Sequence, residues 1–249
     1  MSNSYFQFKQ FTIWQERAAM KVTTDACLFG AWVAAITNSE KLTLRQAQGN
    51  NCLDIGTGTG LLALMYAQKD PTTLIDTLEI DKYAFEQAFE NISASPWSDR
   101  IQVIHTDAKE FVSTHKYDII LSNPPFYENE LKSDDKNKNI AHHSDALALH
   151  ELLSIIKKKL QPGGSFYLLL PYKRHKEIRE LMLQNEFTIT QMILVRQSVN
   201  HDFFRIMLAG KFKADGSGET MVEEIAITDN KGQYTSGFVS LLKDYYLRL

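Results

Sequence analysis

The sequence has few of the residues that brace small secreted or metal-bound folds. Its 249 residues include only two cysteines, Cys27 and Cys52, which stand in neither a C-x-x-C nor a Cys/His ligand spacing. A disulfide framework and a zinc site therefore have no support, and we expect no metal and a reducing, cytoplasmic location. With 44% hydrophobic residues, the chain can bury a large core without such braces.

Long hydrophobic runs are also missing. No stretch approaches the roughly 18 apolar residues that cross a bilayer. Lys9, Glu16 and Arg17 interrupt the N-terminal stretch, which excludes the apolar core of a signal peptide. We therefore expect no membrane partner.

A strong positive charge is the third absence. The net charge of −3 argues against a protein that coats nucleic acid nonspecifically. Three local basic clusters remain, and each is either a nucleic-acid contact or an ordinary solvated face. They are Lys132, Lys136 and Lys138; Lys157–Lys159; and Lys173, Arg174, Lys176 and Arg179.

What the sequence does have is an alternation of strand-like and helix-like segments, typical of a doubly wound, mostly parallel sheet. The predicted strands are Cys52–Ile55, Leu74–Glu79, Ile101–Thr106, Tyr117–Ser122, Phe166–Leu170, Phe187–Val195, Phe203–Gly210 and Met221–Ile227. The predicted helices are 61–68, 83–94, 109–113, about 146–160 and 176–184, with loops at 37–51, 128–139 and 214–220 and a turn at 162–164. The last three strands lack long helical crossovers, which predicts an antiparallel far edge.

Sheets of this kind bind ligands at the carboxyl ends of their strands. Asp54 and the glycines Gly56, Gly58 and Gly60 follow the first strand, and glycine lets the backbone turn with positive φ and approach a ligand. Asp54 would repel a pyrophosphate and favours a cationic ligand such as S-adenosylmethionine. We predict that Asp54 serves the amino-acid end of that cofactor and that Gly58 and Gly60 pass close to it.

The next two strands end in further acidic residues. Glu79 stands 23 residues after Gly56, close to the spacing of a ribose-binding carboxylate, and Ile80 can lie against the adenine face. Asp107 and Ala108 offer a carboxylate for the adenine amino group and a backbone N–H for the ring. Glu79 or Asp107 could instead cap helices. The ordered set along three strands favours a cofactor site.

The fourth strand leads into Asn123, Pro124, Pro125 and Phe126. Two prolines restrict the backbone, so the loop can hold acceptors in place. The Asn123 side-chain oxygen and the Pro124 carbonyl could accept from an adenine N6 amine, while Phe126 stacks on the base. The alternative is a bare turn, because Asn and Pro are common in turns. Its position in the strand order favours a catalytic loop.

The glycine loop and Asn123–Phe126 resemble class I methyltransferases that act on amino groups. Phe8–Phe11, Met20–Trp32, Leu61–Met65, Asn91–Trp97 and Tyr234–Tyr246 resemble, more narrowly, the bacterial tRNA1(Val) adenine-37 N6-methyltransferases. In that family a tyrosine more usually stands at the position of Phe126, a change that keeps stacking and removes a hydroxyl.

The resemblance implies an α/β, Rossmann-like class I methyltransferase fold: a seven-stranded, mostly parallel sheet with an antiparallel far edge and helices on both faces. It implies one domain over residues 1–249, whose extension 1–50 closes over the cofactor site. The stretch Lys21–Asp25 would close over the methionine end of S-adenosylmethionine, with Lys21, Thr23 and Asp25 as cofactor contacts, and Asn123 would contact cofactor and substrate. The implied partner is a tRNA anticodon loop, and a monomer is favoured.

Two other functions stay open at this point. One is a protein glutamine-N5 methyltransferase, whose substrate amide also presents an NH2 group to an Asn-Pro-Pro loop. Such enzymes usually carry a helical N-terminal domain, whereas only about fifty residues here precede the glycine loop. A non-catalytic RNA-binding module would keep the cofactor fold and have a broken catalytic loop, which the sequence does not show.

Overall fold

In a computed structural model of the chain, residues 3–44, 50–125, 147–213 and 219–249 are described. The strands are β1 Tyr5–Gln7, β2 Thr12–Trp14, β3 Asn51–Ile55, β4 Leu74–Glu79, β5 Ile101–His105, β6 Tyr117–Ser122, β7 Leu160–Pro171, β8 Phe187–Ser198, β9 Phe203–Phe212 and β10 Met221–Thr228. The helices are α1 Thr24–Leu44, α2 Leu61–Lys69, α3 Lys82–Ser93, α4 Leu149–Lys159, α5 His175–Gln184 and α6 Ser236–Leu242, with a 3-10 turn at Tyr172–Arg174.

The central sheet has the strand order β10-β8-β9-β7-β6-β3-β4-β5. Strand β9 is antiparallel to both β7 and β8, and the other neighbours are parallel. The predicted α/β class and antiparallel far edge are therefore confirmed. The seven strands that the resemblance implies are one too few within the described residues: β10, predicted from the sequence at Met221–Ile227, pairs in parallel with β8 as an eighth strand.

Both faces of the sheet are covered. Along β7, Phe166, Leu168 and Leu170 join the core beneath α4 and α5, whereas Tyr167 and Leu169 join the core beneath α1 and α2. This alternation follows from the two-residue period of a strand. Because both sets are buried, β7 reads in sequence as one continuous apolar run.

Three local predictions differ from the structure. The predicted helix at 109–113 is a turn at 108–110. The stretch between the end of β5 and the loop that leads into β6 is only a few residues long, which is too short for a helix. The predicted loop at 37–51 is helical as far as Leu44, the end of α1. Pro162–Gly164 lie within the bounds of β7, where the partners of β6 jump from Leu160 to Ser165, so the turn residues form an irregularity in a strand.

Before the sheet, the chain forms a small antiparallel hairpin, β1–β2, which was not predicted from the sequence. Phe8 and Phe11 stack in its connection with ring centroids 4.5 Å apart, and Phe11 meets Trp97 edge-on at 5.8 Å. The hairpin therefore docks on the segment that follows α3. Residues 14–22, which we call the strap, lead from it to α1.

Candidate active site

The predicted motifs meet at one edge of the sheet. Strands β3, β4, β5 and β6 are parallel neighbours, so the loops after them emerge side by side. Together with the strap they surround a cavity of about 420 Å³, which is the size range of small-molecule sites. Residues predicted as site residues that line it are Lys21, Gly56, Gly58, Glu79, Ile80, Asp107, Ala108, Asn123, Pro124 and Pro125.

The glycine loop lies over the end of β3. Gly56 and Gly58 have φ of 74° and 59°, in the left-handed region of backbone conformation that residues other than glycine seldom adopt. A Cβ on either residue would meet no atom within 4 Å, so conformation, not crowding, requires glycine there. Gly60 also has a left-handed φ of 83°, and its Cβ would in addition lie 3.2 Å from Ile92 of α3. The structure places Gly60 in helix packing, outside the cavity lining.

Glu79 ties the glycine loop to the end of β4. One carboxylate oxygen accepts from the Gly58 N–H at 2.8 Å, and the other accepts from the Ile80 and Asp81 N–H groups at 3.0 Å each. A carboxylate offers about four acceptor positions. Glu79 therefore orders the loop and still has capacity for a ligand hydroxyl.

Asp54 lies beneath the loop and is fully buried. Its Oδ2 accepts from the Thr57 hydroxyl at 2.7 Å, while its Oδ1 has no hydrogen-bond partner among the described residues. Burial raises the pKa of Asp54 to about 7; the Thr57 bond opposes this rise and the nearby Glu79 charge adds to it. An unsatisfied buried oxygen is costly, so this position suits a cationic or hydrogen-bond-donating partner.

The third side of the cavity comes from β4 and β5. The Ile80 side chain is 48% exposed, and its carbonyl lies 3.0 Å from the His105 ring nitrogen Nε2. Asp107 Oδ1 accepts from the Lys109 N–H at 2.8 Å, which shapes the turn that presents Ala108. This side of the cavity thus combines an apolar side chain, Ile80, with a carboxylate, Asp107. A flat ring that carries a polar amino group could contact both.

The loop after β6 begins on a buried anchor. The Ser122 hydroxyl donates to the Ile55 carbonyl at 2.8 Å and holds β6 to β3 at the point where both strands end. Asn123, Pro124 and Pro125 then line the cavity. Because β6 and β4 flank β3, the loops that follow them lie on either side of the glycine loop. Phe126 lies outside the described residues. Ser122 was missed from sequence, although serine at the end of a buried strand is a signal that could have marked it.

The N-terminal residues divide. Lys21 lines the cavity, whereas Thr23 and Asp25 do not. The Thr23 hydroxyl accepts from the Ala26 N–H at 3.4 Å, at the start of α1. Asp25 forms an ion pair with Arg205 at 2.8 Å, because the first turn of α1 faces β9. Val22, inside the predicted stretch Lys21–Asp25, also lines the cavity, whereas sequence reasoning missed Ala18, Ala19 and Met20 of the strap, which complete this wall.

Two negative findings concern the described part of the chain. None of its helices is long and apolar enough to cross a membrane. Nor do its His, Cys, Asp and Glu side chains gather anywhere into groups of three or more that could hold a metal ion.

Comparison with known proteins agrees with this geometry. Residues 38–199 match the family model described as the methyltransferase small domain, so fold and site together define a methyltransferase. A curated protein of Dyadobacter fermentans, named tRNA1(Val) (adenine(37)-N6)-methyltransferase, is 39% identical over 248 residues, which cover 99% of this chain and 98% of that protein. The chain belongs to the tRNA1(Val) (adenine(37)-N6)-methyltransferase family.

Solved structures share the fold at low identity. A predicted O-methyltransferase from Agrobacterium tumefaciens has a TM-score of 0.65 and 14% identity, over 88% of this chain and 96% of that one. A glycopeptide N-methyltransferase complexed with S-adenosyl-L-methionine has a TM-score of 0.51 and 12% identity, over 74% of this chain and 94% of that one. These likenesses concern the fold alone.

Proposed function

We propose that the chain transfers a methyl group from S-adenosylmethionine to N6 of adenine 37 in the anticodon loop of tRNA1(Val). The observation that carries the proposal is one cavity that joins the Gly56–Gly60 loop and Glu79 to Asn123–Pro125. The name of the full-length relative from Dyadobacter fermentans supports the substrate.

The residues present fit the proposed cofactor. Asp54 is fully buried beneath the glycine loop and does not line the cavity, so its charge would attract the cofactor's ammonium group without direct contact, and Glu79 retains acceptor capacity for ribose hydroxyls. Both Ile80 and Asp107 line the cavity. Ile80 suits contact with the flat surface of an adenine, and Asp107 suits a hydrogen bond from its amino group. When bound, S-adenosylmethionine supplies an electrophilic methyl group on a sulfonium.

On the substrate side, we propose that Asn123 and the Pro124 carbonyl accept hydrogen bonds from the adenine N6 amine. The N6 lone pair is delocalised into the ring, and two acceptors favour the tetrahedral nitrogen that attacks a methyl group. Ser122 and the two prolines hold these acceptors still, so orientation supplies much of the rate gain. Phe126 would stack on the target base. The amine's proton leaves to solvent.

The structure also separates the basic clusters by their distance from this edge. Lys173 and Arg174 follow β7, the neighbour of β6, at the edge where Asn123 emerges. Lys157–Lys159 end α4 at the opposite edge, about 20 Å away along a six-residue strand. We propose that the cluster at Lys173 contacts the tRNA backbone. Lys132, Lys136 and Lys138 lie outside the described residues.

We propose further that residues 1–249 act as one methyltransferase domain, as a monomer, in the cytoplasm where tRNA is found. Cys27 and Cys52 are both buried, and neither forms a disulfide within the part of the chain that the structure describes, in keeping with a reducing compartment. Size-exclusion chromatography with light scattering measures the oligomeric state.

The decisive experiment combines the purified chain with S-adenosylmethionine labelled in its methyl group and an unmodified tRNA pool. We expect label in tRNA, and nuclease mapping should place N6-methyladenine at position 37 of tRNA1(Val). Label that enters only protein would indicate a glutamine methyltransferase instead. Cofactor binding without any transfer would indicate a non-catalytic RNA-binding module.

A further inference from the structure

The strap is a wall of the cavity that has little secondary structure of its own. Residues 15–22 form no helix or strand, yet Ala18–Val22 line the cavity. Backbone groups in such a segment need partners wherever water is excluded. Three buried side-chain amides supply those partners, those of Gln15, Gln87 and Asn91.

Asn91 makes the central connection. It is 1% exposed, on α3. Its Oδ1 accepts from the Trp14 N–H at 2.9 Å, and its amide donates to the Trp14 carbonyl at 2.8 Å and to the Thr59 carbonyl at 2.9 Å. Both N–H groups of the amide are thereby used. One side chain joins the start of the strap to the middle of the Gly56–Gly60 loop.

The neighbouring amides hold the strap without reaching the glycine loop, and Gln15 also donates to the Asn3 carbonyl at 3.0 Å. Gln87, one turn earlier on the same face of α3, accepts from the Arg17 N–H at 3.3 Å. Gln15 accepts from the Val22 N–H at 2.8 Å and closes the strap upon itself. Neither contact reaches the glycine loop, so Asn91 differs from both in its second partner.

We propose that Asn91 is a positioning residue that couples the glycine loop to the strap, so that cofactor binding at the loop orders the strap. This inference rests on the proposed function. A shift of the Thr59 carbonyl breaks a hydrogen bond that the same amide needs to stay aligned with Trp14. The proposal also gives both ends of the Asn91–Trp97 segment a structural role. Asn91 holds the strap and the glycine loop, while Trp97 supports the hairpin through its contact with Phe11.

The test uses the full chain and S-adenosylhomocysteine, the product that the proposed reaction would release. In the unaltered chain, we expect this ligand to slow hydrogen exchange at the Arg17 and Val22 amides of the strap. In Asn91→Ala, we expect about tenfold weaker calorimetric binding, the size of a typical coupling between sites. The ligand-dependent slowing at the strap should disappear as well, a readout that simple loss of stability does not move.

The matched control is Gln87→Leu, which removes a buried amide from the same helix face and leaves the Thr59 contact in place. We expect faster exchange at Arg17 in the free protein, with the ligand-dependent slowing retained. Asn91→Ser, a second and milder variant, should behave as Asn91→Ala does.

The outcomes separate the two proposals. If the Asn91 and Gln87 variants lose affinity equally and both keep the slowing, the coupling is overturned and Asn91 is only structural. Failure of the unaltered chain to bind S-adenosylhomocysteine would overturn the proposed cofactor, and the coupling with it. Binding without methylation of tRNA would overturn the proposed substrate while leaving the coupling supported.

Discussion

Replacement of Asp54 by Asn should stabilise the cofactor-free protein at alkaline pH while weakening cofactor binding. Asp54 is fully buried, one of its oxygens has no partner, and burial raises its pKa from 3.8 to about 7. The folded protein therefore holds a proton on this carboxyl in a pH range where the unfolded chain has released it. Asparagine has nearly the same shape and does not titrate.

The sign and size of the effect follow from proton linkage. Asp54 contributes most to stability below pH 4, and this contribution is lost as the pH rises to about 7. Between pH 5 and pH 8 the folded state passes through about two pH units of that range. At about 1.4 kcal/mol per unit, the unaltered protein should lose about 3 kcal/mol relative to Asp54→Asn. Comparing the two proteins cancels the titration of all other groups.

Urea unfolding at pH 5 and pH 8, without ligand, measures this difference, and the exposed Asp99→Asn variant controls for loss of one negative charge. At pH 8, Asp54→Asn should also bind S-adenosylhomocysteine at least tenfold more weakly, because the ligand ammonium loses its carboxylate. A stability difference between Asp54→Asn and the unaltered protein that does not change with pH would refute the reasoning.

Three further predictions follow from the site and the core. Asn123→Ala should lower kcat about a hundredfold or more with cofactor affinity unchanged, measured by label transfer; full activity would show that Asn123 does not position N6. Lys173→Glu should raise the KM for tRNA about tenfold and flatten its salt dependence, whereas Lys158→Glu, at the opposite edge, should do neither; equal effects would contradict the assigned face. Gly210→Ala should cost about 1–3 kcal/mol in urea unfolding, because its Cβ would lie 2.4 Å from the Phe166 ring, and an unchanged midpoint would show that this core yields.

The loops that line the cavity were predictable because each motif is contiguous in sequence. Gly56 and Gly58 mark left-handed backbone, and such backbone is a local property that glycine alone reports. Gly60 shares the left-handed backbone and has a second reason for glycine, its close approach to Ile92, which lies 32 residues away. A glycine pattern therefore predicts the turn without separating ligand contact from helix packing.

The short turn at 108–110 and the long α1 show a second limit. Helical periodicity over five residues carries little information, and neighbouring strands decided the backbone after Asp107. The polar composition of residues 37–44 suggested a loop, yet α1 extends to Leu44. Local composition is a weak guide where packing on the sheet supplies the stabilising free energy.

By itself, the sequence determined the strand–helix alternation, the antiparallel far edge and the residues that end β3, β4 and β6, because hydrophobic period and turn chemistry are local. Only the tertiary structure decided that Asp25 pairs with Arg205, that Asp54 keeps an oxygen without a hydrogen-bond partner among the described residues, and that Asn91 joins the strap to the glycine loop. These contacts span 32 to 180 residues of chain. Burial and long-range hydrogen bonding exist only once the sheet has brought such segments together.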